Sequence, residues 1–233
     1  MGFILTPQRI VTVRYVALPS FEQAQGWIEA AAAPPPAIEV FAHLVEAVVD
    51  RAADLLEHIG GELDQLSRAV FRSRGGRDTK RSGAFLRETL SNLGRIGDRA
   101  GQVRDVLLGV GRITGFTAET AQAFCPAGIE ARLRAVRQDL ASLNDYEGHL
   151  TDKVHFLLDA VLGFINMEQN DVVKVLTIAS IVGVPPVLVA GVYGMNFKHM
   201  PEYDWAFGYP YSLALMALTA VVPLIWFKWR GWM

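Results

Sequence analysis

Apolar residues recur along most of this chain at three- and four-residue spacing, which predicts a mainly α-helical protein. Two short β-type runs come first, Phe3 to Leu5 and Ile10 to Tyr15, with Thr6-Pro7-Gln8-Arg9 between them. They predict a hairpin. Val11, Val13 and Tyr15 alternate with Thr12 and Arg14, the period of a half-buried strand. Phe21 to Ala33 predicts a short helix capped by Ser20, with Phe21, Ala24, Trp27 and Ile28 on one face and Pro34-Pro35-Pro36 ending it. From Ala37 to about Arg72, the stripe Ile38, Phe41, Val45, Val48, Ala52, Leu55, Ile59, Leu63, Leu66 and Val70 predicts one long helix, with Gly60-Gly61 tolerated inside it. The basic, glycine-rich stretch from Arg72 to Gly83 predicts a loop. Phe85 to about Val110 predicts a returning helix, and Gly111 to Ala127 an irregular connection.

The next pattern is longer. Leu133, Val136, Leu140, Leu143, Leu150, Val154, Leu157 and Val161 keep the repeat, and Glu147 occupies the one seam position that should be apolar. No proline lies between Pro126 and Pro185, so a single helix is expected from about Ile129 through Tyr193. At 1.5 Å per residue it is on the order of 95 Å long. A compact chain of this size cannot enclose such a helix. It is expected to lie against the two preceding helices and to form a seam with copies of itself.

Charges are common up to Lys174 and scarce afterwards. Val175–Tyr193 has 19 residues and Trp205–Phe227 has 23, all without formal charge, each long enough to cross a hydrocarbon core of about 30 Å. Tyr193, Trp205, Tyr209, Tyr211, Trp226 and Trp229 crowd the ends of these runs as interfacial belts. Lys174, Lys228 and Arg230 flank the outer ends, whereas the link Gly194–Asp204 sets Lys198 and His199 against Glu202 and Asp204. The positive-inside rule then puts both chain ends in the cytoplasm and the link outside. In the first run Asn170, Val173, Thr177, Ser180, Val184, Val187 and Gly191 share a face of small or weakly polar residues, with Leu176, Ile178, Val182 and Leu188 among the opposite positions. Such a face serves helix packing or a pore wall.

Composition agrees with a chain that is half aqueous and half membrane. Of 233 residues, 51% are hydrophobic and 20% charged, and the net charge of −2 does not call for a nucleic-acid partner. The single cysteine, Cys125, excludes an internal disulfide and a multi-cysteine metal site. The N-terminus lacks the basic and apolar regions of a signal peptide. The chain contains no phosphate loop, nucleophile–base set or metal-ligand cluster, so neither an enzyme nor an organic cofactor is expected.

The run YGMNF, followed by MPE and WAFGYP, resembles the signature of the CorA family of divalent-cation channels. The similarity extends upstream through NDVVKVLTIASIVGVPPVLVAGVYGMNF, and IVTVRY and VVDRAADLLEHIGGELDQLSRAVF resemble cytosolic parts of the same family. The resemblance implies a homopentamer in a bacterial-type inner membrane, with residues 1–36 as the end of a cytosolic αβ domain that is longer in family members. Residues 37–128 would form a cytosolic helical pair and 129–171 a stalk helix. Residues 172–193 would be the pore helix, 194–204 an external loop, 205–227 the second span and 228–233 a basic tail.

The site residues follow by position. Gly194, Met195 and Asn196 match the GMN motif, and Asn196 would ring the outer mouth. Gly191, Val187 and Val184 would line the upper pore; Leu176, Val173 and Asn170 its cytoplasmic half; and Asp159 a further polar ring. The resemblance departs where Thr is common in the family at the place of Val187 and Met at the places of Val173 and Val184, which bears on pore width and gate strength, with Leu176 and Val173 as the implied hydrophobic gate. Glu202 and Asp204 would add a mild outer negative field, opposed by Lys198. The implied activity is passive Mg²⁺ uptake driven by the membrane potential, with Mg²⁺ also regulatory and Co²⁺ or Ni²⁺ as further cargo. Two alternatives stand beside it: a Zn²⁺-transporting relative, for which His199 is the candidate ligand, and a truncated assembly protein that does not conduct.

Overall fold

The computed structural model describes residues 2–72, 82–121, 123–196 and 200–232. Side chains at 82, 202 and 203 are not among those described. The chain divides into two compact units, Met1–Val161 and Leu162–Met233. The predicted loop after Arg72 falls largely outside the described residues.

The first unit opens with strands β1 (Gly2–Leu5) and β2 (Ile10–Val13), paired antiparallel with Phe3 opposite Thr12 and Ile4 opposite Val11. Thr6 closes the turn: its N–H donates to the Arg9 carbonyl at 2.9 Å, and its hydroxyl accepts the Arg9 N–H at 3.0 Å. The alternation of the second strand is as expected, but the face is reversed. Phe3 meets the Phe41 ring edge-on at 5.7 Å, so the partly covered side carries Phe3, Leu5, Ile10 and Thr12. Val11 and Val13 face outward, and Tyr15 lies beyond the strand, almost fully exposed.

Helix α1 (Pro19–Ala30) starts two residues before the predicted start. Pro19 sits at the first helical position, where a fixed φ is favourable and a missing N–H costs nothing. Ser20 is therefore inside the helix, and its hydroxyl donates to the Ala47 carbonyl instead of capping. Helix α2 runs Ala37–Arg72, and its buried stripe includes Ile38, Phe41, Val45, Val49, Ala52, Leu56, Ile59, Leu63 and Val70. Val49 and Leu56 take the places expected for Val48 and Leu55, which are only partly covered.

Helix α3 (Ser82–Thr120) passes Val110 by ten residues and replaces most of the predicted irregular connection. The glycines there do not interrupt it, because the neighbouring positions pack. Thr114 is buried with its hydroxyl donating to the Val110 carbonyl at 2.7 Å, and Gly111 faces Leu140. Helix α4 (Ala127–Tyr193) has 67 residues and continues through Pro185 and Pro186. Its buried positions in the first unit are Leu133, Val136, Leu140, Glu147, Leu150, Val154, Leu157 and Val161, the predicted seam with Leu143 only half-covered.

Cross-contacts fix the helix directions. Glu46 and Asp64 of α2 pair with Arg132 and Lys153 of α4, ascending together, so these helices are parallel. Gly111, Arg104 and Gly97 of α3 meet Leu140, Glu147 and Val154 in reverse order, so α3 is antiparallel to α4. Glu62 takes both Nη1 contacts of Arg99 at 2.9 Å, joining α2 to α3. The first unit is thus an up-down-up three-helix bundle with the hairpin and α1 packed on α2.

Candidate functional site

The second unit contains the last part of α4, a 3-10 turn at Pro201–Asp204 and helix α5 (Gly208–Trp229). Both helices are long and apolar enough to cross a bilayer. The second span begins at Gly208, so Trp205, Ala206 and Phe207 precede the helix instead of opening it, and Trp205 packs edge-on against Tyr211 at 6.0 Å.

Helix α5 covers one face. Ser212, Leu215, Met216, Thr219, Ala220, Pro223, Leu224 and Phe227 are buried or half-buried, the spacing of a single stripe. On α4 the partly covered residues Ile178, Val182, Pro185, Pro186, Val189 and Tyr193 also share one side. Within this unit α4 and α5 supply the only described helices long enough to face each other along such stripes. Each helix thus carries one covered stripe, the pattern of a helical hairpin.

The predicted strip lies on the other side of α4. Asn170, Val173, Ser180, Val184, Val187 and Gly191 are all exposed, and Thr177 is half-covered. Leu176, 69% exposed, is not opposite this strip. At about 100° per residue it lies roughly 60° from Val173, on the strip's flank. The polar groups of the strip have a fixed polarity. The Thr177 hydroxyl donates to the Val173 carbonyl at 2.8 Å and the Ser180 hydroxyl to the Leu176 carbonyl at 2.9 Å. With each proton directed into the helix backbone, the hydroxyl oxygens present lone pairs outward.

The helix end explains Gly194. Its N–H donates to the Ala190 carbonyl at 2.9 Å, and a Cβ added there would sit 3.1 Å from that same oxygen. A side chain there would require that oxygen to give by a few tenths of an ångström, so glycine suits the close approach to backbone rather than a left-handed φ. Met195 and Asn196 follow, both exposed; the Met195 N–H still donates to the Val192 carbonyl at 3.3 Å, and Asn196 is one residue past that bond. The expected residues Asn170, Val173, Val184, Val187 and Gly191 therefore share the open side of α4, and Asn196 follows beyond the helix end.

Other expected residues lie elsewhere in the chain. Asp159 is exposed on the part of α4 that belongs to the first unit. Asp204 is exposed in the 3-10 turn, where Glu202 contributes backbone. His199 and Lys198 lie outside the described residues, so the zinc reading gains nothing from geometry. No group of three or more His, Cys, Asp or Glu is arranged to hold a metal among the described residues.

One buried charge is a correction. Glu147, the irregular position of the apolar seam, is not turned to solvent as a charge is expected to be but is fully buried. One carboxylate oxygen accepts from the Thr151 hydroxyl at 2.8 Å, and the other lies 2.5 Å from an Arg104 Nη without hydrogen-bond alignment. Arg104 could not be foreseen as the partner, because only the antiparallel register of α3 and α4 brings it there.

The family model for CorA-like Mg2+ transporter proteins matches residues 1–229. The magnesium transport protein CorA of Escherichia coli K12 is 33% identical over 239 aligned residues, spanning 100% of this chain and 71% of that protein. The magnesium transport protein CorA of Salmonella typhimurium LT2 matches with the same identity and coverage. The complete structure of the CorA magnesium transporter from Methanocaldococcus jannaschii shares the fold, with a TM-score of 0.77 over 96% of this chain and 68% of that one at 16% identity. Two membrane-length helices, the GMN turn between them and these similarities converge on one assignment: the chain belongs to the CorA-like Mg2+ transporter family.

Proposed function

We propose that this chain transports Mg²⁺ passively across a bilayer, assembled as a homopentamer in which the open strip of α4 lines the pore. The observation that supports this reading most directly is that strip. One side of the last part of α4 packs, and the side bearing Asn170, Val173, Ser180, Val184, Val187 and Gly191 does not. Five such strips around an axis make a wall that is apolar at intervals and otherwise lined with acceptor oxygens.

Acceptor oxygens suit the cargo. Mg²⁺ dehydrates reluctantly, so what a pore meets is largely a hydrated ion whose waters donate hydrogen bonds outward. Asn196 carbonyl oxygens and the outward lone pairs of Thr177 and Ser180 accept those bonds without displacing the water. Neutral oxygens also release the ion more readily than a ring of carboxylates would. Val173 with Leu176 forms the constriction, and dewetting there gates the path. The membrane potential supplies the drive, about 4.6 kcal/mol per 100 mV for a divalent ion. No chemical step is part of this reading.

Orientation follows from Lys174, Lys228 and Arg230, which put both ends on the cytoplasmic side of the inner membrane and Asn196 outside. Cytosolic Mg²⁺ is the regulatory ion of the same reading. The test is Mg²⁺ flux into liposomes carrying the full chain, repeated with Co²⁺, Ni²⁺ and Zn²⁺. Asn196→Ala is expected to cut Mg²⁺ flux at least tenfold while the oligomer, sized in detergent, stays intact. Undiminished flux in that variant overturns the role of Asn196. Flux of Zn²⁺ alone would move the chain to the zinc-transporting reading.

A further inference from the structure

The first unit holds a cavity of about 410 Å³ between β1, α2 and the end of α3. Four phenylalanines wall it: Phe3 of β1, Phe41 of α2, Phe116 of α3 and Phe124 just beyond that helix. The backbone turns to bring in the last of them. The Ala121 N–H donates to the Thr117 carbonyl at 2.9 Å, and the Phe124 N–H to the Ala121 carbonyl at 3.0 Å. Phe41 is 1% exposed, but Phe116, in the same cavity, is 69% exposed. An open apolar ring beside an aromatic hollow is a surface that gains from being covered.

Two polar groups interrupt this lining. Of the threonines on α3, Thr89, Thr114 and Thr120 each donate to the carbonyl four residues back, at 2.8, 2.7 and 2.7 Å. Thr117 does not. It is 8% exposed, it lines the cavity, and its hydroxyl has no hydrogen-bond partner among the described residues. A hydroxyl so enclosed is costly to leave unpaired, and its donor is available to whatever enters. Arg112 lines the same cavity, is exposed, and forms no ion pair with a carboxylate of the first unit among the described residues. Its guanidinium fork matches a carboxylate.

We propose that this cavity binds a small aromatic keto acid. Each ligand group answers one feature of the wall. The ring packs among the phenylalanines, where edge-to-face contacts are favourable. The carboxylate balances the single charge of Arg112, and the keto oxygen accepts from Thr117. An apolar side chain of another polypeptide would cover the rings but leave both polar groups unpaired. The volume lies in the range of small-molecule sites, which are apolar with a few placed polar groups. The site lies wholly in the first unit, so its failure would leave the transport reading untouched.

The test follows the fluorine NMR signal of 3-(4-fluorobenzoyl)propanoate titrated with the full chain in detergent, against protein-free micelles. Saturable broadening is expected with the chain alone. Arg112→Gln should weaken binding of the acid about tenfold, the loss of a charge-assisted hydrogen bond, and leave the methyl ester of the same probe unaffected. Thr117→Val should weaken both about threefold. Thr120→Phe, at an exposed position lining the cavity, fills it and should abolish saturable binding without lowering the melting temperature. Broadening no greater than in micelles overturns the site. Binding that survives Thr120→Phe also overturns it, since the probe then sits elsewhere. Equal losses for acid and ester in Arg112→Gln would remove the carboxylate from the ligand class. A polypeptide that copurifies with the chain and is released by Thr120→Phe would overturn the small-molecule site in favour of a protein partner.

Discussion

Helix α4 obeys two rules along its length. In residues 127–161 it is amphipathic: a buried seam from Leu133 to Val161 packs on α2 and α3, and the remaining surface is charged. In residues 175–193 it carries no formal charge, and its apolar side chains point in every direction. The difference is the solvent each part is built for. Where water surrounds the helix, apolar burial drives packing and only one stripe need be apolar. Where lipid surrounds it, apolar residues are no cue to packing, and small residues and close contacts decide what touches what.

The largest test of this contrast applies one substitution to both regions. Leu157 is fully buried in the seam and Leu176 is 69% exposed. Leu157→Ala should lower the unfolding free energy by about 2–5 kcal/mol, through lost transfer energy and a cavity. Leu176→Ala should change it by less than about 0.5 kcal/mol and act on flux instead. Thermal unfolding of both variants in detergent measures the difference. Equal destabilisation would mean that residues 175–193 are packed as a soluble core.

Glu147 sharpens the same point, because a charge inside the seam is tolerated only with a partner. The two partners are not equivalent: Arg104 has a 46% exposed side chain and Glu147 a 1% exposed one. Arg104→Ala strands a buried carboxylate and should cost roughly 3 kcal/mol. Glu147→Leu frees an arginine that can turn to water, and should be neutral or stabilising, because it completes the apolar seam. Chemical denaturation of the two variants and their double mutant checks the asymmetry. Similar losses in both single variants would show that the pair contributes as a pair.

These features were not equally legible in the sequence. The seam was readable from spacing alone, with Glu147 visible as its one irregularity, because helical periodicity is local. The GMN turn was readable from its specific wording. The end of α3 was missed because Gly111 and Gly115 look like punctuation, and only the packing between them, with Gly111 facing Leu140 and Thr114 buried, shows that the helix continues. The face of β2 was missed for a similar reason. Alternation determines that one side is covered, but Phe41, nearly thirty positions on in the sequence, determines which. The left-handed Gly231, with φ +72°, needed backbone dihedrals, since Arg-Gly-Trp has no spacing that predicts a turn.

Glycine gives a smaller comparison. A Cβ on Gly60 would lie 2.7 Å from the Tyr146 hydroxyl, whereas Gly61 beside it and Gly191 in the apolar region meet nothing within 4 Å. Gly60→Ala should therefore cost about 1 kcal/mol, recovered when Tyr146→Phe is added. Gly61→Ala should gain about 0.5–1 kcal/mol from helix propensity. Gly191→Ala should leave the single chain's fold intact, so a weakened oligomer in that variant would reveal a neighbouring subunit pressed against the strip. Unfolding curves together with sizing in detergent separate these outcomes.

The smallest effect separates the regions by pH. Lys153 donates to the Asp64 carboxylate at 2.5 Å, and this hydrogen bond, reinforced by the lysine's charge, holds the Asp64 pKa below its ordinary value of 3.8. Because the folded value is the lower one, the bridge contributes its full stability above the ordinary carboxylate range and loses it as pH falls through the folded value. Asp64→Asn should thus lower the melting temperature of the first unit slightly at pH 7, by less than the Gly60 change, and the deficit should close below pH 3.8. Salt at 1 M should also shrink it, since both partners are partly open to solvent. The apolar stretch of α4 has no carboxylate to titrate between Val175 and Tyr193. Its unfolding, followed through the same pH series in vesicles, should stay flat. A deficit in Asp64→Asn that persists unchanged at pH 2.5 and in high salt would mean that the seam's edge is held by packing of the Lys153 stem rather than by its charge.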